Sequence, residues 1–164
     1  MLVRFAILVV SALIGADTPA TTHVRSSHPY IRAMIAEAQV RSPTFRRLVD
    51  SIEGTDGIVY VEQGDCYHRL RSCLPPLVTA AGAFRFLRVI VDPRQQDWEV
   101  MSDIGHELQH ALEVLSDPTA RTDASLFFLV SKSSFGAAEI RETPEAVTAG
   151  ESIKKEVKAF ARRR

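Results

Sequence analysis

One hundred and sixty-four residues, 46% of them hydrophobic and 24% charged, are enough for one domain with an ordinary core and exclude a disordered tail. The 20 Lys and Arg balance the 20 Asp and Glu, so no global charge drives the chain onto a nucleic-acid backbone or an anionic membrane; function has to sit in a local site. Two cysteines exclude a disulfide-stapled mini-protein and a Cys-rich zinc finger alike.

The chain starts with the positive segment Met1 to Arg4, an apolar run from Phe5 to Ile14, and small residues at Gly15, Ala16 and Ala20. This is the layout of a secretory signal peptide cleaved near residue 16 or 20. The run is too short for a comfortable membrane span, which needs roughly 20 apolar residues. The expectation is a leader over 1–20, a single domain over 21–164, a secreted or periplasmic location, and no stable membrane insertion after cleavage. An uncleaved N-terminal membrane anchor is the alternative. Residues 17–27, rich in Thr, Ser and Ala without periodicity, read as a flexible lead-in that gives His23 and His28 no role.

Helical spacing of Ile31, Met34, Ile35 and Ala38, with Pro29 suited to a first turn, predicts a helix from Pro29 to Val40. Ser42-Pro43 restarts a second helix through Phe45, Leu48, Val49 and Ile52, which stops at Gly54, Asp56 and Gly57. Ile58 to Val61 is a strand candidate, and Phe84 to Val91 a longer one that ends at Asp92-Pro93. Between them lie Cys66 and Cys73. In an oxidising compartment an even pair this close in sequence closes a local structural loop, since the spacing fits neither a CxxC redox pair nor a thiol metal site. His68 inside the loop reads as a surface residue. The order of elements predicts an α+β fold, mostly helical, with a small sheet preceding the next helix.

That helix starts at Asp97. Val100, Met101, Ile104, Leu108, Ala111, Leu112 and Leu115 fall on one stripe when each residue advances by about 100°, and the stripe is core. His106 and His110 point the other way, with Glu113 beside them and Asp103 and Glu107 along one flank. His106-Glu107-Leu108-Gln109-His110 is an H-E-x-x-H motif. Histidines one turn apart can converge on one zinc ion, and a glutamate just after the first can reach a water on that ion without occupying a coordination position. Glu107 would then act as general base and afterwards as general acid.

Gly105-His106-Glu107-Leu108-Gln109-His110-Ala111, following strand-like sequence and an export signal, resembles the active-site helix of the zincin metallopeptidases. It departs from the metzincin branch, because the positions for the extra Gly and third His are Glu113 and Ser116. The closer resemblance is to the gluzincin pattern, which implies a zincin-like domain with one zinc and a third ligand from a glutamate on a later helix. Arg141 to Gly150 resembles the glutamate-bearing segment of small exported gluzincin-like proteins, and that match implies Glu142 as the ligand. The local sequence pulls another way. Thr143-Pro144-Glu145 reads as N-cap, first position and acidic first turn, which puts Glu142 just before a helix and gives Glu145 a helix-dipole role. Glu145, Glu113 and Glu139 therefore stay open as alternative ligands. Thermolysin-like enzymes carry an acidic residue four positions after the ligand; here that position is Ala146, and Asp103 is the candidate to orient a histidine instead.

The function these residues imply is hydrolysis of a peptide or protein substrate by zinc-activated water. The placement of Phe84 to Val91 resembles the sheet edge on which zincins hold extended substrate. The alternative is a non-catalytic secreted module in which zinc only locks helices together. A carboxylate-rich iron bundle would need a second Glu-x-x-His element, which the chain lacks. Elsewhere bland roles suffice: Trp98 as a core anchor, Phe127 to Val130 as a core piece of a bridging helix, and Lys154, Lys155, Lys158 and Arg162 to Arg164 as a solvated cationic helix end.

Overall fold

A computed structural model of the chain describes residues 22–66, 70–126 and 142–163. The expected leader, His68, Glu139 and the segment Phe127 to Val130 lie outside the described residues. The rest is a small α+β domain. In chain order come β1 (Val24–Arg25), α1 (Pro29–Arg41), α2 (Pro43–Glu53), β2 (Gly57–Gln63), β3 (Ser72–Cys73), β4 (Thr79–Ala81), β5 (Phe84–Val91), α3 (Asp97–Leu115) and α4 (Pro144–Ala161).

Local chemistry sets the helix ends. Ser42 accepts a hydrogen bond from the Phe45 amide and caps α2; Thr143 does the same for α4 through the Ala146 amide, and Pro follows each cap. Gln96 and Glu99 exchange side-chain bonds with each other's backbone in a capping box that starts α3. Glu156 of α4 accepts from Ser42 Oγ at 2.5 Å, Thr44 N at 3.1 Å and Thr44 Oγ1 at 2.9 Å, which ties α4 to the start of α2.

The sheet has the order β1-β2-β5-β3, with β4 also on β5. β1, β2 and β5 are parallel, whereas β3 and β4 both pair antiparallel with β5, on Ile90–Val91 and on Phe84–Phe86 respectively. A two-residue turn joins β4 to β5, with Gly82 at φ 58°, a left-handed conformation that favours glycine. Alternation divides the faces: Val24, Val59, Val61, Leu87, Val89 and Val91 point into the helical layer and are buried. Tyr60 and Phe86 stack on the opposite face at 6.5 Å between ring centroids.

Three expectations need correction here. The lead-in is not irregular throughout: Val24–Arg25 pairs with Val59–Tyr60 as β1, and Val24 is buried, so a single apolar residue between polar neighbours was enough for a parallel pairing. β5 is not a free sheet edge either, because β2 runs along one side while β4 takes Phe84–Phe86 and β3 takes Ile90–Val91 at the two ends of the other. The Cys66–Cys73 disulfide is formed, and it holds β3 beside the end of β5. Trp98 packs partly buried against the core, but Lys158 and Lys154 lie over its ring at 3.3 and 4.9 Å, so the cationic end of α4 is not wholly solvated. Among the described residues no helix is long and apolar enough to cross a membrane.

α3 crosses beneath the sheet, with α4 packed along it in the opposite direction. Small residues make the close approach possible: a Cβ on Gly105 would meet Ile153 Cδ1 at 2.1 Å, and one on Gly150 would meet His106 Cβ at 3.4 Å. Ser102 Oγ donates to the Gly150 carbonyl at 2.9 Å between the same helices. This crossing brings the beginning of α4 to the histidine turns of α3.

Candidate metal centre

His106 and His110 stand one turn apart on α3, their rings 4.8 Å apart at 79°. His110 is nearly buried and His106 half-buried, while Glu142, just before the cap of α4, reaches in from an exposed position. Its Oε2 lies 3.4 Å from His106 Nε2. One ligand atom from each of His106, His110 and Glu142 falls within 4.8 Å of the others, so this group can hold a metal ion.

The two histidines differ in their surroundings. Burial pulls the His106 pKa down, against the Glu142 carboxylate and a hydrogen bond to the Ala146 backbone, which favour the cation. His110 Nδ1 meets Glu113 Oε2 at 3.2 Å. Burial disfavours the charged form of His110 too, but the hydrogen bond to Glu113 and the charges of Glu107, Glu113 and Glu142 outweigh it, so its pKa is raised. For Glu113 the balance also favours the ion: burial is overcome by hydrogen bonds from His110, Thr143 and Gln109. With Nδ1 engaged by a carboxylate, Nε2 of His110 is the nitrogen left for a metal.

Glu107 faces the sheet side of α3 and is 5% exposed. Ser72 Oγ on β3 donates to its Oε1 at 2.7 Å. Burial raises its pKa to about 7, with Glu142 and Asp103 adding to the rise and the Ser72 bond and His110 opposing it. The preceding residue, Arg71, lies 3.1 Å from Glu99 and 3.8 Å from Asp103, so β3 and its approach follow the carboxylates that α3 carries at every fourth position.

The remaining expected residues fall as follows. Asp103 makes no hydrogen bond to a histidine; its buried Oδ2 has no hydrogen-bond partner and only the Arg71 ion pair at 3.8 Å, burial raises its pKa, and it acts on His106 through its charge. The orienting role expected of it belongs to Glu113, for His110. Glu113 is thus brought to the site, but behind His110. Glu145 is exposed in the first turn of α4, lining a groove with Arg47, Gln109 and Thr148, and lies outside the metal-competent group. Sequence reasoning missed Ser72 and the bond from Thr143 to Glu113. The only available signals were that Ser72 precedes a bridged cysteine and that Thr143 is a helix cap.

Compared with known protein families, curated proteins and solved structures, the chain matches none.

Proposed function

We propose that this protein is an exported zinc-dependent peptidase of zincin-like type. The observation that carries the proposal is the convergence of His106, His110 and Glu142 beside the buried carboxylate of Glu107. Two imidazoles and one carboxylate are the donor set of a catalytic zinc with an open fourth position. Tetrahedral zinc with ligands at about 2.0–2.1 Å separates its donors by roughly 3.3 Å, and His106 Nε2 and Glu142 Oε2 stand at 3.4 Å. That pair matches zinc, and since all three donor atoms lie within 4.8 Å of one another, a small inward movement of side chains would complete the set. Bound there, zinc would supply an acidified water and polarise a substrate carbonyl.

The chain's own residues supply the rest. His106, His110 and Glu142 would hold the ion, with Glu113 fixing the tautomer of His110. Glu107 would take a proton at its carboxylate and deliver it to the leaving amine; its burial raises its pKa, while a dication beside it would favour the carboxylate that accepts the proton. Ser72 holds one oxygen of that carboxylate, leaving the other for the proton. The disulfide and the N-terminal pattern support export to an oxidising compartment.

A non-catalytic zinc-stabilised binding module is the second reading, favoured by the deep burial of Glu107. One experiment separates them. Zinc-loaded wild type and Glu107→Gln are incubated with an unfolded protein, and new α-amino termini are counted. The peptidase reading expects cleavage by the wild type and a loss of at least about 10²-fold in the variant at equal zinc content. Zinc-loaded wild type that releases no new termini supports the binding module instead.

A further inference from the structure

We propose that Thr143 is a positioning residue for the metal site, whose hydroxyl joins the carboxylate that orients His110 to the segment that presents Glu142. This rests on the reading that His106, His110 and Glu142 hold a metal. Thr143 Oγ1 donates to Glu113 Oε1 at 2.8 Å and accepts from the Ala146 amide at 3.1 Å. A hydroxyl has one proton to give and two lone pairs to accept with, so capping α4 and binding Glu113 do not compete.

Glu113 is filled by three donors. Gln109 Nε2 reaches Oε1 at 3.2 Å alongside Thr143, and His110 Nδ1 meets Oε2 at 3.2 Å. One carboxylate therefore presets two ligands contributed by different elements. Through His110 it selects the nitrogen that faces the ion. Through Thr143 it anchors the residue next to Glu142, whose own side chain is 71% exposed and is steadied little by its surroundings. An exposed glutamate gives up side-chain freedom when it is fixed. Anchoring the adjacent backbone limits how much further ordering the ion has to impose. The arrangement replaces the acidic residue absent at Ala146 with a glutamate on the histidine helix and a threonine relay.

A helix cap alone would make Thr143 structural, so the test separates the two roles in the full-length chain by zinc affinity, measured through competition with a chromogenic chelator. Thr143→Ser keeps the hydroxyl and is expected to bind like wild type. Thr143→Asp keeps a good cap but has no proton to give to Glu113. It is expected to weaken zinc binding about 10–100-fold, as is Glu113→Ala. Combined, the two substitutions are expected to bind about as Glu113→Ala alone, because they break the same link. Wild-type affinity in Thr143→Asp, or a double variant weakened by the product of the two single effects, overturns the proposal while the metal reading stands. Glu142→Ala serves as the separate control on that reading: unchanged zinc affinity there removes Glu142 as a ligand and the relay with it.

Discussion

Replacing Arg85 with Met is expected to destabilise the protein by about 3–5 kcal/mol, the range for stripping one partner from a buried charged network. Arg85 lies on β5 facing the helices and is 2% exposed. Its guanidinium binds Asp56 Oδ1 through Nη2 at 2.6 Å and through Nε at 2.9 Å. It also donates to the carbonyls of Leu115 and Asp117, each at 2.7 Å, where α3 ends. A helix leaves its last carbonyls without intrahelical partners and carries partial negative charge there, so a buried guanidinium satisfies both demands at once. Met fills much of the volume but leaves those carbonyls unpaired and Asp56 with Arg121 at 3.1 Å as its remaining ion-pair partner. Arg88→Met is the matched control. Its partner Glu62 is on the open face of the sheet, and the cost there is expected to stay below about 1 kcal/mol. Urea denaturation of the three proteins checks both values, and an Arg85 variant as stable as the Arg88 control would contradict the role given to the buried charge.

The second large effect concerns Glu107 in the metal-free protein. Burial raises its folded-state pKa from 4.5 to about 7. Between those values the unfolded chain carries the ionised carboxylate while the folded chain holds the proton. Glu107 therefore costs no stability below about pH 4.5, and its cost grows as pH rises through 7. Complete, it amounts to about 3 kcal/mol. Glu107→Gln keeps an acceptor for Ser72 and does not titrate. In chelator-treated samples the variant should gain about 3 kcal/mol relative to wild type between pH 4.5 and pH 8. Comparing the pair cancels the contributions of Glu113, whose pKa is lowered, and of His106, whereas His110 loses in the variant the Glu107 charge that helps to raise its pKa. A bound dication would favour the carboxylate, so zinc is expected to shrink the difference. A difference that stays flat with pH would show that Glu107 is not held in a desolvated position.

Much of the fold was legible because local rules and tertiary packing agree. Ser42-Pro43 and Thr143-Pro144 cap the helices they announce, and Phe84 to Val91 forms a strand over the span its composition suggests. The apolar stripe of α3 is buried at Val100, Met101, Ile104, Leu108, Ala111 and Leu115. What escaped depends on pairings between distant segments. Val24–Arg25 and Ser72–Cys73 are too short to carry a period, and only β2 and β5 make strands of them. β5 looked like an edge because chain order gives no hint that the cysteine loop folds back onto its end.

The site divides along the same line. The H-E-x-x-H spacing places His106 and His110 because a helix fixes neighbours by arithmetic. Glu142 came from a resemblance, while the cap at Thr143 placed it just before the helix and left Glu145 as an alternative; the cap is formed, and Glu142, not Glu145, is grouped with the two histidines, since the residue before a cap can reach across to the neighbouring helix. Glu113 was legible as an i, i+3 neighbour of His110, but its bond to Thr143 was not, because it requires α4 to run antiparallel along α3. Asp103 was chosen for lying one turn before the motif. The structure turns it toward Arg71 and Gln95, which spacing cannot foresee.

X-ray absorption at the zinc edge of the purified, zinc-loaded chain tests the central claim most directly. The account predicts one zinc per chain with two imidazole nitrogens and carboxylate oxygen at about 2.0–2.1 Å, and loss of that signal in the double variant His106→Ala, His110→Ala. A chain that takes up no stoichiometric zinc, or whose zinc shows no imidazole and persists without the two histidines, would contradict it.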